Sequence, residues 1–187
     1  MAMGISGQRR AIDGLIAVML DSGAGRTLCG TESVDLRTRT FAAWGIALLC
    51  QRSDDVRLQL RALAGLQTAL LDETGDALDL RVAIVHALGR LPVDAGSEKG
   101  RARAVHRLEM LEAVAVDEDE SPLVRAHASA AVATMLSSAG AGPGVDDFRA
   151  SFRKAWLTAL TDGKAGSADQ RAAVLAPGGG GGQGAAG

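Results

Sequence analysis

Residues 79–91 read DLRVAIVHALGRL, and two other segments of the chain repeat the pattern. Residues 35–49 are DLRTRTFAAWGIALL and residues 122–136 are PLVRAHASAAVATML. Aligned on Arg37, Arg81 and Arg125, the copies are spaced by 44 residues each time. Three positions after each arginine come Thr40, Ile84 and Ala128; six after, Ala43, Ala87 and Ala131. Trp44, Leu88 and Val132 follow at plus seven, and Ala47, Leu91 and Met135 at plus ten. Offsets of three, six, seven and ten trace one stripe of a 3.6-residue helix. The recurring alanine marks where a neighbouring helix comes close.

A second helical pattern precedes each of these. AIDGLIAVMLD (11–21) aligns with ALAGLQTALLD (62–72), and RLEMLEAVAVD (107–117) continues the series with Leu108, Leu111 and Val114. KAWLTALTD (154–162) and SADQRAAVLA (167–176), with Arg171, form a weaker fourth copy. The expected unit is two helices, over residues 8–51, 54–91, 98–137 and 145–176. Start signals agree: Ser121-Pro122 offers a side-chain acceptor and a proline at the first turn, and Ser53, Ser97 and Ser167 precede other helices. Glycine-rich stretches at 22–30 and 138–144 are read as breaks, and PGGGGGQGAAG (177–187) as a disordered tail.

One hairpin of this size buries little alone, so successive units must stack. The expected fold is all-α, an α-solenoid of about three and a half helical hairpins over residues 1–176. SPLVRAHASAAVATML resembles the second-helix consensus of the HEAT-repeat family, and the other two copies carry Leu-Arg where it carries Val124-Arg125. The resemblance implies that Asp119 ends the first-helix turn, that Pro122 starts the second helix, and that Arg37, Arg81, Arg125 and Arg171 are structural. It also implies an acidic partner about six residues before each arginine. Asp119 stands there for Arg125; Thr31, Gly75 and Ala165 stand there for the others, leaving Asp35 and Asp79 as substitutes. Such a resemblance is specific for fold and nearly silent on function.

Composition narrows the function classes. Of 187 residues, 47 % are apolar and 22 % charged, ordinary for a globular chain, and the formal charge of −2 gives no bulk attraction to nucleic acid or anionic lipid. Aromatics are only 3 %, few for a base-stacking module. No stretch reaches the roughly 20 apolar residues of a membrane span, and the N-terminus lacks a signal-peptide pattern, so a cytoplasmic protein is expected. Cys29 and Cys50 are too sparse for a disulfide framework; Cys50 reads as a small buried hydrophobe.

The three histidines do not converge. His86 lies five residues after its arginine and His127 two after, about a turn out of register, so no metal and no cofactor are expected. GAGPG (140–144) lacks the Lys-Ser/Thr of a phosphate loop, and DEDES (117–121) lacks a calcium loop's alternation. No catalytic residue is assigned.

TFAAWGIALLC (40–50) is apolar on every face. Either the first hairpin and its glycine-rich loop wrap it, or Phe41 and Ile46 face a partner. The leading expectation is a non-catalytic scaffold that binds another protein through the concave second-helix face, with Arg39, Phe41, Val85, His86, Arg90, His127 and Ser129 as contacts. An alternative is a first-helix basic stripe of Arg10, Arg61, Arg107, Arg153 and Lys154 for an acidic segment or a nucleic-acid backbone, although nucleic acid is the less expected partner. Further alternatives are a HEAT-like lyase, similar to the bilin-lyase-like repeats, and a fragment of a longer array that self-associates through its exposed ends.

Overall fold

The computed structural model describes residues 9–72, 77–94, 97–138, 145–147, 149–150 and 153–154. Arg171, Trp156, the second helix of the fourth unit, the 138–144 break beyond Ser138, and the 177–187 tail lie outside the described residues. So does the Arg10 side chain. The described residues are helical, without strands. The helices are α1 (Arg9–Met19), α2 (Gly23–Cys29), α3 (Leu36–Gln51), α4 (Val56–Leu71), α5 (Leu78–Arg90), α6 (Glu98–Val116) and α7 (Pro122–Ser138).

Their ends follow from local chemistry. Asp35 caps α3 by accepting from the Thr38 N–H, and Ser97 caps α6 by accepting from the Gly100 N–H. Pro122 opens α7, where its missing N–H leaves no bond unmade. At α4 the cap is Asp55, not Ser53: Asp55 accepts from Arg57, while the Ser53 hydroxyl accepts from Asp55 itself. The 22–30 stretch is not a plain break. Ser22 caps the short helix α2, and the chain leaves it at Gly30 in the left-handed conformation. Glycine is required inside α2 as well, because a Cβ at Gly25 would sit 2.1 Å from the Ala17 carbonyl oxygen of α1.

The second helices α3, α5 and α7 pack side by side in that order. First-layer helices cover them: α1 packs on α3, α4 on α5, and α6 on α7. One apolar core runs through the array, centred on Leu15, Ile46, Leu66, Ile84, Leu108 and Met135. The repeat alanines Ala43, Ala87 and Ala131 are all buried in it. Gly89 marks a close approach of α5 and α7, since a Cβ there would lie 2.7 Å from the Ala131 Cβ and 2.8 Å from its Cα.

The 44-residue spacing holds between the second and third copies but not between the first and second. Ala42, Gly45, Ile46 and Leu49 are buried where Ile84, Ala87, Leu88 and Leu91 are, a spacing of 42. The arginines agree. Arg81 donates from Nη1 to the Leu70 carbonyl at the end of α4, and Arg39 donates from Nε to the Met19 carbonyl at the end of α1. Arg39 is therefore the structural counterpart of Arg81. Arg37, assigned that role from the sequence, is exposed.

The expected carboxylate partners also change. Asp35 bonds the Thr38 backbone and hydroxyl of its own helix. Arg81 bonds through Nε and Nη2 with Glu120, in the α6–α7 turn ahead. That carboxylate belongs to the following unit, so the ion pair ties α5 to the hairpin beyond it.

Candidate partner-docking face

Burial divides the residues expected to face a partner. Val85 and Ser129 are buried, so neither is a contact; each lies on the side of its helix turned into the core. Ile46 is also buried, because α3 is enclosed by α1, α4 and α5. Arg39 is spent on the Met19 carbonyl. Phe41, His86, Arg90 and His127 remain accessible. Trp44 joins them: the register counted from Arg37 puts it on the core stripe, but with Arg39 as the mark Ile46 holds that place and Trp44 is half-buried.

These residues form a connected row across the three second helices. The Trp44 ring stacks on His86 with centroids 5.4 Å apart and planes inclined by 29°. His86 Nε2 lies 2.8 Å from His127 Nδ1, a hydrogen bond in which one ring donates and the other accepts. The sequence offsets of five and two place these histidines about a turn out of register, yet the packing of α7 on α5 brings their rings together.

Electrostatics fix the state of the row. Burial, then the nearby His127 and Arg90, push His86 down to about 4, so its ring is neutral at physiological pH. Arg90 occupies the last turn of α5, where a cation is favoured, and its guanidinium lies 5.8 Å from the Trp44 ring centroid. One turn away, Arg37 lies 5.7 Å from the Phe41 ring centroid. Gln51 Nε2 donates to the Arg90 carbonyl at 3.4 Å, joining the ends of α3 and α5. Phe41 and Leu48 remain 41 % and 40 % exposed, on either side of Trp44 along α3.

The expected first-helix basic stripe is not assembled. Arg61 pairs with Asp13 of α1 at 2.6 Å. Arg107 is buried, donating from Nη2 to the Leu91 carbonyl at 3.0 Å and from Nε to the Met135 sulfur at 3.1 Å. Burial pulls its guanidinium down to about 10. Of the stripe, Arg153 and Lys154 are exposed.

Other chemistry is sparse among the described residues. No group of three or more His, Cys, Asp or Glu side chains could hold a metal ion. Cys29 is free and exposed; Cys50 is free and buried, its thiol pushed up to about 12 by desolvation, which makes it a poor nucleophile. A cleft between α4 and α6 near Leu63, Pro92, Arg103 and Arg107 has a volume of about 30 Å³, room for a water rather than a substrate. Among the described residues, no helix is long and apolar enough to cross a membrane.

No family model matches the chain, and neither a curated protein nor a solved structure is similar to it.

Proposed function

We propose that this protein is a HEAT-like α-solenoid and a non-catalytic scaffold that docks another protein on the α3–α5–α7 face in the cytoplasm. One observation carries the reading: the row Trp44–His86–His127, flanked by exposed Phe41 and Leu48, is an apolar and aromatic strip on a packed helical surface. Exposed aromatics with arginines beside them are the residues that dominate protein interfaces, because they bury large area at little entropic cost. The stacked second helices hold the strip on a rigid base, which lowers the ordering cost of binding. The recurring hairpins, the Arg39 and Arg81 bonds to preceding helices, and the stepwise packing of α3, α5 and α7 support the solenoid reading.

The test is affinity capture from nuclease-treated lysate of the source cells, comparing the full chain with Trp44→Ala and Leu48→Glu variants whose folding is checked by circular dichroism. The expected result is a stoichiometric protein that survives a high-salt wash on the unaltered chain and is lost from both variants. Equal retention by all three chains sinks this face as the docking surface. Recovery of nucleic acid alone transfers the reading to the cations of the first-layer helices.

A further inference from the structure

We infer that the docking face recognises a short segment in which acidic residues flank an aromatic or leucine side chain; this rests on the reading of α3–α5–α7 as the docking surface. The argument starts from the arginines. Arg26, Arg61, Arg81, Arg103 and Arg149 each pair with a carboxylate of this chain. Arg37 and Arg90 pair with none among the described residues, and each lies over an aromatic ring instead.

A guanidinium resting on a ring keeps its in-plane N–H donors directed outward, in the fork that matches a carboxylate. The ring beneath also shields it from water on one face, which strengthens a charge pair formed there. Phe41 and Trp44 are neighbours one turn apart on α3, so the two forks bracket one apolar patch that continues to Leu48.

Carboxylates at the ends of α3 and α5 leave both arginines without an ion pair. Asp35 caps α3, and Glu120 holds Arg81. Asp79 is at the opposite end of α5 from Arg90, eleven residues or about 16 Å along the helix, and forms no ion pair with Arg37 at the nearer end. The imidazoles add no negative charge, and His86 is neutral. The face is thus two cations on an apolar field, neither ion-paired among the described residues.

That pattern complements a peptide rather than a nucleic-acid backbone. Two phosphate contacts give only weak, strongly salt-dependent attachment, while a duplex offers nothing apolar for Phe41 and Leu48 to cover. An acidic–apolar–acidic segment supplies both kinds of contact at once.

The experiment is selection of random dodecapeptides displayed on phage against the intact chain. The selected peptide is then synthesised with its acids and with the matching amides and measured by fluorescence anisotropy. The expected consensus has Asp or Glu on both sides of an aromatic residue or Leu. Replacing the acids by amides should weaken binding about tenfold, as should Arg37→Gln or Arg90→Gln; each step of that size is about 1.4 kcal/mol. Trp44→Ala should remove binding altogether. Both arginines are exposed, so their variants should fold; circular dichroism checks this.

A consensus without acids, with acid and amide peptides binding alike but still sensitive to Trp44→Ala, overturns the charge inference and leaves the docking reading standing. No enriched peptide, or peptides indifferent to Trp44→Ala, overturns both. Displacement of the peptide from the wild-type chain by a single-stranded oligonucleotide, but not by free glutamate-rich peptide, also overturns the inference in favour of a phosphate backbone.

Discussion

Replacing Gly89 by alanine sets two well-understood effects against each other. Within a helix, Gly→Ala is worth about 1 kcal/mol in favour of folding, because alanine has less backbone freedom to lose. Against this, the new methyl would stand 2.7 Å from the Ala131 Cβ, 2.8 Å from its Cα and 3.0 Å from its carbonyl oxygen. Two of these three neighbours are backbone, so no rotamer change relieves the clash. α5 and α7 must separate by several tenths of an ångström, and overpacking of this kind costs about 1–3 kcal/mol.

Separation also stretches the 2.8 Å His86–His127 bond one turn away, putting at risk a further contribution of about 1 kcal/mol. The balance is a net loss of about 2 kcal/mol. At 2–4 °C per kcal/mol for a chain of this size, the Tm should fall by about 6 °C. Urea denaturation followed by circular dichroism measures the free energy. Ala131→Gly in the same chain should recover part of the loss, since it removes the nearest of the three atoms. Stabilisation of the Gly89→Ala protein by about 1 kcal/mol would mean that propensity alone governs this site. It would refute the close approach of the two helices.

Four other expectations follow from named contacts. Because the folded pKa of His86 lies near 4, below its ordinary 6.5, the unfolded chain binds more protons between these values. Stability should therefore be fully present above about pH 6.5 and decline as pH falls toward 4. His86→Leu should flatten that part of the profile in pH-dependent denaturation, whereas an unchanged slope would discount this histidine. Arg81→Ala should cost about 3 kcal/mol, because it leaves the nearly buried Glu120 without its partner and the Leu70 carbonyl without a donor. Arg37→Ala, at the sequence-equivalent but exposed position, should fall within about 0.5 kcal/mol of the unaltered protein. Arg107→Met should raise the Tm: among the described residues its buried guanidinium has a carbonyl and a sulfur as partners, so removing the charge relieves desolvation that exceeds the two lost hydrogen bonds. A drop in Tm would assign Arg107 a net stabilising role.

The helical class was legible in the chain because it rests on local periodicity. The stripe Ile84, Ala87, Leu88, Leu91 and its copy Ala128, Ala131, Val132, Met135 are buried as the 3.6-residue pattern requires. The first copy was ambiguous for an identifiable reason: residues 36–40 read LRTRT, with two arginines two apart. Counting from Arg37 gives a stripe of Thr40, Ala43, Trp44 and Ala47; counting from Arg39 gives Ala42, Gly45, Ile46 and Leu49. The second set matches the sizes and apolar character of the other copies, and burial follows it. Choosing Arg39 would have placed Trp44 beside His86 without a structure, at the same 42-residue spacing.

The other half of the row was not accessible that way. His86 and His127 meet through the packing of α7 against α5, which also brings Gly89 close to Ala131, and no local preference encodes that contact. Burial of Arg107 has the same origin. Its position on α6 matches that of the buried Ala11 and Ala62 on earlier helices, but a guanidinium there needs partners, and the ends of α5 and α7 supply the Leu91 carbonyl and the Met135 sulfur. Backbone periodicity and capping are properties of a few consecutive residues, so the sequence by itself determined which segments are helical and which stripes are apolar. The relative slide of neighbouring helices depends on how side chains from distant segments interlock. Tertiary structure alone therefore decided which carboxylate each arginine meets and that His86 touches His127.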